Sequence, residues 1–232
     1  MSCQNHTSVI ILAAGQGTRM KSTLPKVLHA VAGRPMLGYA MNLASQVANN
    51  NVAVVVGSGA DQVRAYLGKE KAQFGPFLVV EQTQQLGTGH AVQQAYPALT
   101  SHSSQVANQY VIMNGDTPLL TSETVSAIVN YHQSEGAALT LLTTVLPDPG
   151  GYGRVIRGNQ GTVCRVVEDR DASPEEKQVS EINVGTYVVE AKFLEKALGQ
   201  LKPQNAQGEY YLTDIIEMAV KEEQKVVAWI TE

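Results

Sequence analysis

Val9 to Leu28 read VIILAAGQGTRMKSTLPKVL, and this stretch decides the fold class. Val9 to Leu12 is an unbroken apolar run, the pattern of a strand buried on both faces of a parallel sheet. It passes at once into Ala13, Ala14, Gly15, Gln16, Gly17 and Thr18. Small side chains let the backbone turn sharply and let its N–H groups approach a ligand. Arg19 and Lys26 follow, with Pro25 stiffening the chain just before the lysine. Main-chain donors followed by two separated cations suit a polyphosphate, whose charge builds up during phosphoryl or nucleotidyl transfer. Ordinary surface cations after a structural turn are the alternative.

Two familiar phosphate loops are tested by the same residues. A Walker loop requires Gly-Lys-Ser/Thr, and here Gly17 is followed by Thr18-Arg19. A dinucleotide fingerprint requires a third glycine and an acidic residue ending the second strand. Met20 stands at the third position, and Val52 to Val56 run into Gly57-Ser58-Gly59. The Walker loop is absent, and the dehydrogenase reading is weak.

Working outward, the chain alternates strand-like and helix-like patterns. Leu37, Ala40, Met41 and Ala44 recur at helical spacing, and Asn49-Asn50-Asn51 is expected to end that helix. Val52 to Val56 reads as a second strand, and Asp61 to Leu67 as a short helix closed by Gly68. Phe77 to Val80 is a third strand, Gly87 to Tyr96 a helix, and Tyr110 to Met113 a fourth strand running into Asn114-Gly115-Asp116. Val125, Ile128 and Val129 mark a helix that stops near Gly136, and Leu139 to Val145 is again strand-like. This alternation predicts an α/β fold: a Rossmann-like, mostly parallel sheet with helices on both faces.

The rhythm changes after Pro147. A turn-rich loop, Pro147 to Gly153, precedes two short strands, Arg154 to Arg157 and Thr162 to Glu168, joined by a Gly158–Gly161 hairpin turn. Asp169 to Gln178 is polar and expected to be mobile. Glu181 to Glu190 and Val226 to Ile230 read as strands, with a helix between them marked by Leu212, Ile215, Ile216, Ala219 and Val220. The expected organisation is a single domain, residues 1–232. Its nucleotide-binding half is about 1–146, and about 147–232 supplies a small lobe over the ligand edge.

Composition sets outer limits. The 232 residues carry 16% charged and 44% hydrophobic side chains with a net charge of −4, which describes a globular chain with no general attraction to nucleic acid. Cys3 and Cys164 have no metal-ligand spacing and are expected as free thiols. No run approaches a membrane span, and residues 1–8 lack a signal-peptide core, so a cytoplasmic protein is expected. Self-association is not readable.

In an open parallel sheet, ligands bind beyond the carboxyl ends of the strands. The Gly15 loop, the loop from Gln82, Asp116 and the segments after Pro147 all fall there. Gln82 to His90 read QTQQLGTGH, where a side-chain amide and backbone groups near Gly87 and Thr88 can match the edge of a base such as uracil, a solvated loop capping a helix being the reading favoured by the residues alone. His90 has no evident catalytic partner and reads as a packing or helix-start residue. Asp116 at the end of a buried strand is placed to hold a magnesium ion that also binds phosphate oxygens, or else initiates a turn.

LAAGQGTRM…LPKVLH resembles the signature of sugar nucleotidyltransferases, and in detail is similar to the bacterial N-acetylglucosamine-1-phosphate uridylyltransferases. The resemblance runs from Val9 to about Ile230 and implies a nucleotide-diphospho-sugar transferase fold, with UTP and N-acetylglucosamine 1-phosphate as partners and Mg2+ as cofactor. It implies that Leu12, Ala13, Ala14 and Gly15 wrap the nucleotide, that Arg19 and Lys26 contact its phosphates as catalytic cations, and that Gln82, Gly87 and Thr88 meet the uracil. It further assigns Asp116 to magnesium, Asn114 and Gly115 to positions beside the nucleotide, and Gly153, Glu168 and Asn183 to the sugar. QGEYYLTD, Gln207 to Asp214, matches a family segment near the sugar, with Tyr211 and Thr213 as lining residues. The family's left-handed β-helix of hexapeptide repeats has no counterpart here, so acetyl transfer is not expected. Its second magnesium ligand, an asparagine just past the final strand, falls beyond Glu232. Three readings follow: a uridylyltransferase, a nucleotide- and sugar-phosphate-binding module lacking that ligand, or a nucleotidyltransferase for another sugar phosphate.

Overall fold

The computed structural model describes residues 6–17, 20–48, 51–102 and 107–231. Val9 to Leu12 lie in β1 (Thr7–Ala13), whose Val9, Ile10 and Ile11 are fully buried, as a strand covered on both faces must be. A two-residue ribbon, β2 (Ala30–Val31) and β3 (Arg34–Pro35), precedes α1 (Met36–Val47). Then come β4 (Val52–Val56), α2 (Ala60–Lys69), α3 (Lys71–Phe74), β5 (Leu78–Glu81), α4 (Thr88–His102) and β6 (Gln109–Asn114). The chain continues through α5 (Ser122–Glu135), β7 (Leu139–Val145), β8 (Arg154–Arg157), β9 (Val163–Val167) and β10 (Glu181–Glu190). It closes with α6 (Ala191–Leu198), α7 (Asp214–Lys221) and β11 (Val226–Ile230).

The main sheet runs β11-β7-β10-β6-β1-β4-β5. β10 is antiparallel to both of its neighbours, and the other pairs on this path are parallel, so the sheet is mostly parallel as expected. Residues 147–232 contribute β10 and β11 to this sheet, and the β8–β9 hairpin hangs beside β10. Alternating residues separate two cores. Ile10, Val55, Ile112 and Val189 pack with α4, α6 and α7 on one face, while Val9, Ile11, Val54 and Val111 pack with α1, α2 and α5 on the other. Each buried aliphatic side chain contributes about 1.5–3 kcal/mol of transfer free energy, so the two faces together drive the sheet's burial.

Several element boundaries differ from expectation. α2 runs through the exposed Gly68 to Lys69, so that glycine does not close it. α4 runs past Tyr96 to His102 with Pro97 inside it. Pro97 is exposed, so water can satisfy the carbonyl its ring leaves unpaired. The third strand is shifted by one residue to Leu78–Glu81. Leu212 precedes the last helix rather than lying within it. α1 ends at Val47, and Asn49 and Asn50 lie outside the described residues. Asp169 to Gln178, expected to be mobile, is tied down. Asp171 accepts from the Ala206 N–H and the Tyr211 hydroxyl, and Glu176 accepts from the Ser173 N–H.

Candidate active site

The carboxyl ends of β1, β4, β5 and β6 share one edge of the sheet, and β1 lies where the strand order turns back, between β4 and β6. A cavity of about 650 Å³ opens there. Leu12, Ala13, Ala14, Gly15, Lys26, Gln82, Gly87, Thr88, Asn114 and Asp116, singled out from the sequence, all line it. Gly115 sits immediately behind, its N–H donating to the Leu12 carbonyl at 2.9 Å. Arg19 lies outside the described residues, as does Cys3.

The local chain explains this convergence. Gly17 adopts a left-handed conformation (φ 58°), and a Cβ there would sit 2.7 Å from the Lys26 Cβ. Only glycine lets the turn fold against the lysine's stem and aim its ammonium at the strand ends. That ammonium forms an ion pair with Asp116, with 43% and 22% of the two side chains exposed. An ion pair this open contributes little to stability, about 0–1 kcal/mol, which leaves both groups available to a ligand. Gly87 (φ 104°) approaches the Tyr210 backbone so closely that a Cβ would lie 2.6 Å from its carbonyl oxygen. The Tyr210 N–H donates to Leu86 and its carbonyl accepts from Gly89, both at 2.7 Å, while the Thr88 hydroxyl accepts from the Leu212 N–H at 3.0 Å. The Thr88 hydroxyl thus ties the start of α4 to the segment before α7.

Gly153, Glu168 and Asn183 form a second cluster next to the cavity. The Asn183 N–H donates to the Gly153 carbonyl at 2.9 Å, and its side-chain amide donates to the Tyr187 hydroxyl at 2.6 Å. Glu168 accepts from the Thr213 hydroxyl at 3.0 Å. Burial pushes the Glu168 carboxyl above the usual range; the Thr213 bond opposes this, while Asp171, Asp214 and Asp169 reinforce it. Asn183 also accepts from the Gly185 N–H at 3.1 Å, and Gly185 lies directly against the Asn114 amide that lines the first cavity. The two clusters therefore meet along β10 and β6.

A family model of the MobA-like NTP transferase domain matches residues 9–156. The chain belongs to the MobA-like NTP transferase family. That match spans the Gly15 loop, Lys26, the Gln82 loop, Asp116 and Gly153. Among curated proteins, the chain is 48% identical over 214 residues to the bifunctional protein GlmU of Pelotomaculum thermopropionicum, covering 92% of this chain and 45% of that protein. It is 48% identical over 221 residues to GlmU of Lactococcus lactis, and 46% over 220 residues to that of Enterococcus faecalis, with 95% of this chain and 46% of each relative covered. The chain spans about half the length of these relatives. Two solved structures share the NTP transferase fold. A UDP-glucose pyrophosphorylase complexed with UDP-glucose superposes with a TM-score of 0.76 at 19% identity, over 98% of this chain and 91% of that one. A structure described as a glucose-1-phosphate thymidylyltransferase from Bacillus anthracis gives 0.75 at 21%, over 97% and 87%.

Among the described residues, no three His, Cys, Asp or Glu side chains gather as a metal site, and no helix is long and apolar enough to cross a membrane. The carboxylate of Asp116 fits a hard divalent cation of the magnesium type, which takes one or two protein carboxylates and completes its shell with phosphate oxygens and water. It does not suit a closed all-protein cage such as structural zinc. Sequence reasoning missed Gln16, Met20, Gln85 and Glu209, which also line the NTP transferase cavity. Glu209 sits in the segment assigned to the sugar side; that segment touches both clusters, Tyr210 bonding the Gln82 loop, Glu209 lining the cavity and Thr213 bonding Glu168. No local pattern announces this, because the contacts join residues far apart in the chain.

Proposed function

We propose that this chain transfers the uridylyl group of UTP to N-acetylglucosamine 1-phosphate, releasing pyrophosphate and forming UDP-N-acetylglucosamine. The observation that carries the reading is the junction of the two clusters: a cavity with a glycine loop, a lysine and a lone aspartate abuts a carboxylate and amide pair through Gly185 and Asn114. The likeness to GlmU proteins over more than nine-tenths of the chain supports it. In this reading the sugar phosphate's anionic oxygen attacks the α-phosphorus of UTP in line. The new P–O bond forms as the bond to the bridging oxygen of the β-phosphate breaks, and pyrophosphate carries away that electron pair. The nucleophile is already ionised at neutral pH, so no general base is needed; positioning and charge neutralisation lower the barrier. Lys26 lies beside the phosphates, and Arg19 takes its partner role from its place in the sequence signature. A magnesium ion held by Asp116 would supply further positive charge at the phosphate oxygens. The Leu12–Gly15 backbone, Asn114 and Gly115 cradle the nucleotide, Gln82, Gly87 and Thr88 meet its base, and Gly153, Glu168 and Asn183 hold the sugar.

Pyrophosphate release from UTP, N-acetylglucosamine 1-phosphate and Mg2+, with each component omitted in turn, tests this. Release that requires all three is the expected result. Calorimetric binding of UTP with no release in any mixture would overturn the transferase reading and leave a binding module.

A further inference from the structure

Gln82 is 3% exposed, and its carboxamide is where the cavity wall meets the protein interior. Its Nε2 donates to the Gly87 carbonyl at 2.9 Å and lies 3.0 Å from the His90 Nδ1. The other ring nitrogen, His90 Nε2, lies 3.2 Å from the terminal amide of Gln94. The polarity of this chain of groups is determined from one end. A backbone carbonyl can only accept, so the nitrogen of the Gln82 amide must face Gly87. Its second hydrogen then points at the His90 Nδ1, which must offer a lone pair. A neutral imidazole with a bare Nδ1 carries its proton on Nε2, so Gln94 must present its oxygen there, an orientation that heavy-atom positions alone do not distinguish. The Tyr210 ring lies 6.2 Å from the imidazole centroid, on the same residue whose backbone clasps Leu86 and Gly89. The loop that carries Gly87 and the ring that faces Gln82 are thus held by one neighbour.

Both Gln82 amide hydrogens are spent on the protein. Its Oε1 accepts from none of the described residues, and Gln82 lines the cavity, so that oxygen is the amide's remaining group for a ligand there. We infer that His90, backed by Gln94, is a positioning residue that locks the Gln82 carboxamide with its oxygen outward, so that the cavity selects a base by a ring N–H. Uracil offers that donor at its pairing edge, whereas cytosine presents a bare ring nitrogen there and would face the oxygen lone pair to lone pair. The inference deepens the proposed reading and rests on it for the identity of the base.

Nitrogen-15 NMR of the imidazole, assigned by difference against His90→Phe, reads the tautomer directly. A neutral ring protonated on Nε2 is expected; protonation of Nδ1 overturns the inference. Calorimetry with UTP and CTP, in magnesium buffer, reads the consequence. His90→Phe keeps a ring but removes the acceptor, and is expected to weaken UTP by about tenfold while moving the UTP-to-CTP affinity ratio toward unity. His90→Asn, whose Oδ1 stands near the Nδ1 position, is expected to restore most of the ratio. A purely structural role would weaken both nucleotides alike and leave the ratio unchanged, which overturns the inference. Wild-type protein that binds UTP and CTP equally overturns the uridine reading itself. A UTP preference that survives His90→Phe sinks the role of His90 alone.

Discussion

Asp116 has two potential partners: the Lys26 ammonium it holds here, and a cation shared with phosphate. Replacing it with alanine removes a half-open ion pair, so thermal stability should change by no more than about 1 kcal/mol. Pyrophosphate release titrated with Mg2+ should fall on the order of a hundredfold or more, the usual cost of removing a group that supports developing charge. Unchanged turnover would remove Asp116 from the metal role. Glu168 gives a different signature. Its raised carboxyl means that charge at neutral pH is destabilising in the folded state, an effect absent at low pH, growing as pH rises from the ordinary carboxylate value toward the folded one and complete above it. Glu168→Gln should therefore melt higher than the parent at pH 7.5, with the gap closing toward pH 4, while sugar phosphate binding weakens more than UTP binding. Equal weakening of both ligands would count against the sugar role. These residues were readable because each ends a strand or sits in a family motif. His90 was not: its part lies in the polarity of hydrogen bonds to Gln82 and Gln94, which only proximity in space reveals.

Elements were read well where burial is continuous or strictly periodic. β1, β4 and β10 carry runs that only a sheet interior accepts, and the predicted bounds of β4, β7, β10 and β11 match those observed. Helix ends were read less well, because Gly68 and Pro97 are breakers by local propensity and both sit on exposed faces where tertiary packing of Leu67 and Leu99 overrides them. α5 hides a further consequence. His132 is 4% exposed, with its Nδ1 2.8 Å from the Thr140 hydroxyl across on β7. Burial lowers its pKa to about 4, against an opposing pull from Glu190. The unfolded chain therefore binds a proton near pH 6.5 that the folded chain refuses, and stability is lost as pH falls from about 6.5 toward 4. The shift corresponds to at most about 3 kcal/mol. Denaturant unfolding of His132→Gln should show a shallower acid decline than the parent across that window; parallel curves would show that the imidazole is solvated.

At the scale of the whole molecule, the α/β class and the flanking helices followed from the alternation of patterns, but the strand order did not. Nothing in Glu181–Glu190 says that it inserts between β6 and β7, since a buried antiparallel strand and a buried parallel one share the same composition. The insertion predicts the behaviour of a fragment. Residues 1–146 contain β6 and β7 but not the strand that joins them, so this piece should show no cooperative thermal transition, and a sharp one would mean that the first half folds alone. The same seam sets an order of events during synthesis. Among the described residues β7 pairs only with β10 and β11, both of which leave the ribosome after it, so it waits without a ladder partner while β1, β4, β5 and β6 already have theirs. Translation speed between Val145 and Glu190 then governs how long an apolar strand stays open to wrong partners, and a chaperone acting on the nascent chain has most to protect in that interval.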